Sequence, residues 1–173
     1  MIFRNAKPTD IPTITSLINR SYRGESSRAG WTTEADLLSG KRIDETGLLQ
    51  LLYDPDSLIL ITQSDDTITA TIHAHREGDS VHFGLFAVEP TQQNRGIGKE
   101  LLAYAESEAV QKWRVCTAIM EVITHREELI AYYERRGYVC TGEMIAFPES
   151  DLWDQLADSL VLEMLTKDLS EYF

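Results

Sequence analysis

The stretch from Val88 to Glu106 reads VEPTQQNRGIGKELLAYAE and runs from an apolar segment, through a polar turn with two glycines, into a helix pattern. After the turn, apolar residues recur every four positions at Ile97, Leu101 and Ala105, so one helix face packs on a sheet. The first turn of a helix has unpaired N–H groups, and its dipole favours negative charge. Glycines let the backbone approach a bulky anion closely. The stretch therefore predicts an anion-binding strand–turn–helix unit, and an ordinary helix opened by glycine is the alternative.

Two familiar nucleotide-binding motifs do not fit this turn. A Walker A loop requires GxxxxGK followed by Ser or Thr, whereas here Glu100 follows the Gly-Lys pair and Gln93 stands at the first glycine position. A Rossmann fingerprint requires GxGxxG, and Leu101 occupies its third glycine position. Both motifs are excluded, so these residues alone leave the identity of the anion open.

Composition limits the class of protein. The chain has 173 residues, of which 43% are hydrophobic and 25% charged, so we expect a soluble protein with one domain over residues 1–173. A net charge of −12 argues against nucleic acid as a partner and mildly favours a cationic substrate. No apolar run approaches the ~18 residues of a membrane span, and the N-terminus has no signal-peptide core. We expect a cytoplasmic protein without a membrane partner.

Neither a metal site nor a disulfide is predicted. His73 and His75 lie on one face of a predicted strand, but a third metal ligand is not evident. Cys116 and Cys140 are predicted to be two buried thiols, because disulfides are rare in the cytoplasm.

The order of the elements predicts an α/β fold with a mixed, mostly antiparallel central sheet flanked by helices. The chain begins with a predicted strand and a predicted helix that has Pro12 in its first turn. A helical region follows, over Thr33 to Leu38 and then 44 to 52. Three β-rich segments then form a meander. The remaining predicted elements are a helix at 96–112, a strand at 117–123, a helix at 127–136, a strand at 138–142 and a strand at 159–166.

Three segments together resemble the GNAT superfamily of N-acetyltransferases. QNRGIG, residues 93–98, matches its Q/R-x-x-G-x-G/A signature, LFAVEP resembles the strand that precedes it, and AYYERRGY at 131–138 resembles its Y-E-x-x-G-F/Y element. They occur in the family's order across roughly residues 80–142. The resemblance implies the family's sheet of about seven strands, and acetyl-CoA as the co-substrate whose pyrophosphate is the anion.

The resemblance also implies the residues that bind the coenzyme. The pantetheine arm is expected on the backbone of the strand at Phe86, Ala87 and Val88, where one N–H polarises the thioester carbonyl. Gly84 suits this strand because an interior glycine often marks a bulge or a close approach. The expected pyrophosphate loop consists of Gln93, Asn94, Arg95, Gly96, Ile97, Gly98 and Lys99. Solvated surface cations are the alternative for its two basic side chains.

The family's catalytic pattern falls on two residues. Tyr133 matches the tyrosine usually assigned as the general acid for the departing thiolate, with a packing aromatic as the alternative. Its neighbour Tyr132 is offset by about 100° on a helix and is expected to face elsewhere. Glu121 falls where several members carry a base glutamate, and strand alternation separates it from its apolar neighbours. An ion-paired or edge Glu121 is the alternative, and the weaker base candidates are His75, His82 and Glu25.

Arg126 departs from the family pattern, which often has asparagine seven residues before the tyrosine, so the role of that position stays open. The acceptor site is expected near the first two helices. Its candidate residues are Tyr22, Arg23, Glu25, Arg28, Trp31 and Trp153, a set of both charge signs that suits a zwitterionic amine; a plain surface loop is the alternative.

The resemblance thus implies an enzyme that transfers acetyl from acetyl-CoA, by direct attack, to the primary amine of a small molecule, amino acid or peptide. An acyltransferase for longer acyl-CoA and a non-catalytic acyl-CoA-binding sensor are the alternatives. Retention of Tyr133 and Glu121 favours catalysis. Family precedent suggests a homodimer.

Overall fold

Seven strands form one sheet in the computed structural model, which describes residues 1–23, 27–28, 30–157 and 159–173. The strand order is β1-β3-β4-β5-β6-β9-β7, and a separate two-stranded sheet pairs β2 with β8. Only the β5–β6 pairing is parallel within the described part of the chain. The predicted mixed, mostly antiparallel α/β fold is confirmed. The strands are β1 (Ile2–Asn5), β2 (Leu38–Gly40), β3 (Ser57–Ser64), β4 (Thr67–Glu77), β5 (Ser80–Val88), β6 (Thr117–Ile123), β7 (Val139–Ala146), β8 (Trp153–Gln155) and β9 (Val161–Asp168).

Helices cover both faces of the large sheet. The helices are α1 (Ile11–Tyr22), α2 (Glu45–Tyr53), α3 (Ile97–Trp113) and α4 (Glu127–Glu134). On one face, α1 buries Ile14 and Leu17 against Ile59 and Ile61 of β3. On the other, α3 buries Leu101 and Ala105 against Ala70, Ile72 and Ala74 of β4. The four-residue apolar spacing of the opening stretch therefore marks the sheet-facing side of α3.

A β-bulge in β5 changes which face its side chains occupy. Ala87 pairs with Thr71 of β4, yet Gly84 pairs with His73, so β5 has one extra residue between these pairs. Leu85, directly after Gly84, has a left-handed backbone with φ 48°. Before the bulge, the odd-numbered residues of β5 face the α3 side; after it, they face α1. The indication that Gly84 marks a bulge is confirmed.

The sheet opens between β5 and β6. These parallel strands pair only where Ser80–His82 lie beside Thr117–Ile119. Beyond this short pairing, the second half of β5 pairs only with β4, and β6 pairs with β9. The end of β5 therefore has a backbone edge that faces the gap and pairs with no strand of the described residues.

Two local predictions were wrong. The segment from Thr33 to Leu38 is a turn leading into β2 rather than a helix, because Leu38 is buried beside Ile123 in a small cluster that pulls the chain into strand pairing. Both cysteines are free, but neither thiol is buried as predicted: Cys116 is exposed and Cys140 is half-buried. None of the helices in the described residues is long and apolar enough to cross a membrane.

Candidate active site

A cavity of about 320 Å³ lies at the open end of β5, between the start of α3 and α4. Its lining includes Phe86, Ala87 and Val88 of β5, the turn before α3, and Tyr22 from α1. The basic residues of the lining are Lys99, Arg126, Arg135 and Arg136. The cavity therefore joins a free strand edge, a helix N-terminus and several cations.

The turn before α3 is shaped to leave its backbone uncovered. Asn94 and Gly96 have left-handed backbones, with φ 66° and 83°, and Gly96 is the N-cap of α3. A Cβ at Gly98 would come within 3.0 Å of the Tyr132 hydroxyl and 3.3 Å of the Phe86 and Val88 side chains. A larger side chain at this position would therefore push against these neighbours, and the free N–H groups of the first helical turn lie at the cavity wall. This arrangement fits a diphosphate.

Tyr133 lies at the inner end of the cavity and is 5% exposed. Its ring is 6.4 Å from that of Phe86 and 5.8 Å from that of Tyr138. Burial raises the pKa of the Tyr133 hydroxyl well above its ordinary value, with a smaller contribution from Tyr22. The hydroxyl is consequently protonated at neutral pH, which is the form that a proton donor requires.

Tyr132 lines the same cavity, so the expectation that it faces elsewhere was wrong. Its ring lies edge-on to Tyr133 at 5.5 Å, beside Trp31 at 5.5 Å, and beneath the Arg136 guanidinium at 3.6 Å. The cavity wraps around the short helix α4, so two side chains separated by about 100° both reach it.

Gln93 ties the loop after α1 to the end of β5. Its Nε2 donates to the Val88 carbonyl at 3.0 Å, and its Oε1 accepts from the Trp31 N–H at 2.9 Å. The Thr32 hydroxyl, one residue further, donates to Glu128 of α4 at 2.7 Å. Residues 31 and 32 thus cross the cavity from the α3 side to the α4 side.

Arg126 occupies the N-cap of α4, is 6% exposed and lines the cavity. Its Nη1 donates to Glu34 Oε1 at 3.1 Å, and its Nη2 donates to the Thr32 hydroxyl at 2.9 Å. The other Glu34 oxygen accepts from Arg23 Nε at 2.8 Å. Sequence reasoning singled out Arg126 as a departure but missed Glu34, since no local pattern connects residues 92 positions apart.

Glu121 and Tyr133 lie on opposite faces of the sheet. Met120 and Val122 are buried in the same cluster as Tyr133, and Glu121 between them points to the other face and is exposed. Glu121 is not among the residues that line the cavity. It does belong to the part of β6 that has separated from β5, two residues beyond the last pair at His82 and Ile119.

The cavity brings together most of the residues proposed from the sequence. Those in its lining are Tyr22, Trp31, Phe86, Ala87, Val88, Gln93, Asn94, Gly96, Ile97, Gly98, Lys99 and Tyr133. Arg95 and Arg23 are outside the lining, and Glu25 lies outside the described residues. The weaker base candidates have acidic neighbours instead: His75 is 3.8 Å from Asp54, and His82 is 2.9 Å from Glu77.

The sequence model of the acetyltransferase (GNAT) family matches residues 12–138. The chain belongs to the GNAT family. Its match begins in α1 and ends after α4, so it includes the cavity. The splayed strands, the glycine turn and the buried tyrosine are thus the parts of a GNAT fold. A search of curated proteins found no match.

Solved structures show the same fold at low sequence identity. The ribosomal-protein-S18-alanine N-acetyltransferase of Escherichia coli has 17% identity and a TM-score of 0.71, over 98% of this chain and 94% of its own. The spermidine N-acetyltransferase of Vibrio cholerae, solved with CoA and spermine, has 14% sequence identity and a TM-score of 0.72, over 99% of this chain and 96% of its own. The putative acetyltransferase yncA of Salmonella typhimurium, solved with its cofactor acetyl-CoA, has 18% sequence identity and a TM-score of 0.72, over 98% of this chain and 94% of its own.

No group of three His, Cys, Asp or Glu side chains in the described residues is arranged to hold a metal ion.

Proposed function

We propose that this GNAT protein transfers the acetyl group of acetyl-CoA, by direct attack, to the primary amine of a small molecule, amino acid or peptide. The observation that carries the proposal is the continuity of one cavity from the uncovered first turn of α3 to the buried hydroxyl of Tyr133. Two free cysteine thiols support a cytoplasmic location.

The chain has groups suited to each part of the coenzyme. The N–H groups that open α3 would hold the diphosphate, with positive charge from Lys99, Arg135 and Arg136. The free edge of β5 at Phe86–Val88 would hydrogen-bond the amides of the pantetheine arm. A backbone N–H of this edge would polarise the thioester carbonyl. The coenzyme would supply the thioester itself, which is an activated acetyl group.

The proposed proton transfers use the two faces of the open sheet. As the amine nitrogen forms its bond to the carbonyl carbon, the carbon–sulfur bond breaks, and Tyr133 gives its proton to the sulfur. The amine loses one proton, which we assign to Glu121, directly or through a water. Tyr133 approaches the gap from the α4 face, and Glu121 lies on the opposite face. An amine that enters from the Glu121 side attacks without crossing the coenzyme.

The names of the neighbours support an amine acceptor. One acts on a ribosomal-protein alanine and another on spermidine. Both are N-acetyltransferases, and the two acceptors are otherwise chemically unlike. The acceptor of this protein must therefore be deduced from its own residues.

The test is a panel of primary amines assayed for release of free thiol from acetyl-CoA, with butyryl-CoA and longer acyl-CoA in parallel. The proposal requires acetylation of at least one amine, confirmed by mass. Transfer only from longer acyl-CoA would identify the acyltransferase alternative. Tight binding of acetyl-CoA in calorimetry, with no acceptor in a broad panel, would favour the sensor.

A further inference from the structure

Three arginines surround Tyr22 in a protein whose net charge is −12. The guanidinium carbons of Arg42 and Arg126 each lie 5.8 Å from the Tyr22 ring centre. Arg23 follows Tyr22 in the chain and lies 5.4 Å from the ring of Trp153, which Arg42 approaches at 5.8 Å. We name Arg23, Arg42 and Arg126 the arginine cluster.

The cluster has fewer negative charges than positive ones. Glu34 accepts from both Arg23 and Arg126. In the described parts of the chain, Arg42 makes no ion pair with a carboxylate; its recorded neighbours are the rings of Tyr22 and Trp153. Among the described residues, Glu34 is thus the one carboxylate paired with the cluster, and it pairs with two of its three guanidinium groups.

Two donors of the cluster have no acceptor. Arg23 is 4% exposed and Arg126 is 6% exposed. The Nη2 of Arg23 and the Nε of Arg126 are buried without a hydrogen-bond partner. A buried donor left without a partner costs roughly 1–3 kcal/mol, and more for a charged group. Arg126 lines the cavity, and Arg23, which lies outside the lining, is joined to it through Glu34. Buried donors without partners need an explanation, and an acceptor group on a ligand would supply one.

The cluster adjoins the proposed reaction centre. Tyr22 and Arg126 line the cavity, and the charges of both influence Tyr133. Arg42 also lies close enough to His73, on the α1 face of β4, to disfavour its protonation. This is the face on which Glu121 lies and from which the amine enters in the proposed function. A second polar group of the acceptor would therefore meet the cluster while its amine reaches the acetyl group.

We propose that the acceptor is a small amino acid, whose carboxylate is received by Arg42 with the free donors of Arg23 and Arg126. The inference rests on the proposed function and narrows it. Guanidinium groups bind carboxylates through paired, charge-assisted hydrogen bonds. A polyamine would bring further positive charge to the cluster, so we expect it to be a poor acceptor. The carboxylate of Glu34 accepts from Arg23 and Arg126 and so is already paired, which leaves Arg42 for the carboxylate of the acceptor.

The experiment compares each α-amino acid with its own α-amide as acceptors, together with spermidine, at saturating acetyl-CoA. The amide retains the amine and the side chain but lacks the negative charge. We expect the best acceptor to be an amino acid whose amide has a roughly 10- to 100-fold lower kcat/KM, since a hydrogen bond to a charged group has about that effect.

Arg42→Gln tests the assignment to the cluster, and Arg76→Gln is the matched control because Arg76 pairs with Asp56 at the exposed end of β4. We expect Arg42→Gln to raise KM for the amino acid about 10- to 100-fold while changing neither KM for the amide nor the affinity for acetyl-CoA. Arg42→Lys retains the positive charge but lacks the planar guanidinium, so its KM for the amino acid should lie between those of the wild-type protein and Arg42→Gln. Calorimetry of the acetylated product on the CoA-loaded protein supplies a binding readout independent of turnover.

Each outcome is decisive. Collapse of the preference for acid over amide in Arg42→Gln, with Arg76→Gln unchanged, supports the inference. Equal use of acids, amides and spermidine by the wild-type protein overturns it and leaves the proposed function standing. A carboxylate preference that survives in Arg42→Gln and Arg42→Lys also overturns it. Failure to acetylate any amine or bind acetyl-CoA removes the proposed function itself.

Discussion

Arg126 and Glu34 form a buried ion pair, with 3.1 Å between Nη1 and Oε1, that joins the N-terminus of α4 to the segment after α1. Their side chains are 8% and 6% exposed. Since Arg23 donates to the other oxygen of Glu34, one carboxylate holds two buried cations. The wall of the cavity that carries Arg126 therefore depends on Glu34.

Removing the charge of Glu34 should be strongly destabilising. Glu34→Gln leaves two guanidinium groups buried without a counter-charge, and breaking a buried pair in this way costs about 3–5 kcal/mol. Urea unfolding measures the change in the free energy of unfolding. The control is Asp56→Asn, which breaks an exposed pair with Arg76 and should cost less than about 1 kcal/mol. Equal effects of the two changes would contradict the structural role of Glu34.

Gly98→Val should weaken coenzyme binding and leave the fold intact. The valine side chain would enter the space bounded by Tyr132, Phe86 and Val88, where a Cβ alone reaches 3.0–3.3 Å. Calorimetric titration with acetyl-CoA measures the affinity. Ala103→Val, on the exposed side of α3, controls for placing a β-branched side chain in this helix. An unchanged affinity in Gly98→Val would remove this turn from the coenzyme site.

Tyr133→Phe should lower kcat by roughly 10²- to 10⁴-fold, because general acid–base catalysis contributes about that factor. The affinity for acetyl-CoA should change little, since only the hydroxyl is lost. Burial raises the pKa of Tyr133 well above its ordinary value of 10.0, so the donor form is lost only at strongly alkaline pH. The wild-type kcat should accordingly show no decline from this group below pH 10.

The control for Tyr133 is Tyr104→Phe, a partly buried tyrosine of α3 that packs on Phe3 outside the cavity lining. It should retain wild-type turnover. Near-normal turnover in Tyr133→Phe would leave Tyr133 as a packing residue.

Glu121→Gln should reduce turnover sharply at neutral pH and recover part of it at higher pH. An amine with a pKa near ~10 is mostly protonated at pH 7, so a variant without the base depends on the free amine that alkaline conditions supply. The affinity for acetyl-CoA should be unchanged. Glu143→Gln, on the exposed face of β7, is the control. The assignment is falsified if Glu121→Gln has the wild-type pH–rate profile on the best amine.

His73 should make the fold sensitive to acid. Burial, with the neighbouring charge of His75, lowers the pKa of His73 from 6.5 to about 4. Between these values the unfolded chain takes up a proton that the folded protein does not, so stability falls as pH decreases through this window, by about 3 kcal/mol in all. His73→Gln should reduce this slope in urea unfolding between pH 6.5 and 4. An unchanged slope in His73→Gln would contradict this assignment.

Local sequence patterns were sufficient for the parts of the site that depend on backbone conformation. The glycines before α3, the four-residue apolar spacing after them and the strand ending at Val88 each act over a few residues, so their effect is visible in the sequence. The same holds for Tyr133, whose element follows the turn at a characteristic distance. These patterns are enough to predict a strand, a glycine turn and a helix that could bind an anion, whereas acetyl-CoA and the acid role that we propose for Tyr133 came from the resemblance to the GNAT family.

The sequence could not show where side chains meet across the sheet. The bulge at Leu85 exchanges the faces of β5, so an unbroken alternation of buried residues packs into two different cores. Tyr132 reaches the cavity because the cavity curves around α4, which a helical offset alone does not reveal.

The sequence by itself determined the mixed sheet and the position of the glycine turn, because hydrogen bonding and periodicity act within one segment; the tyrosine that we propose as the acid came from the resemblance to the GNAT family. Only the tertiary structure decided which charged side chains meet beside the cavity. Arg23, Arg42 and Arg126 come from three separate segments and converge on Tyr22. Their convergence is set by the packing of α1 and α4 around the open sheet, and their shortage of negative charge becomes evident only when all three are placed together.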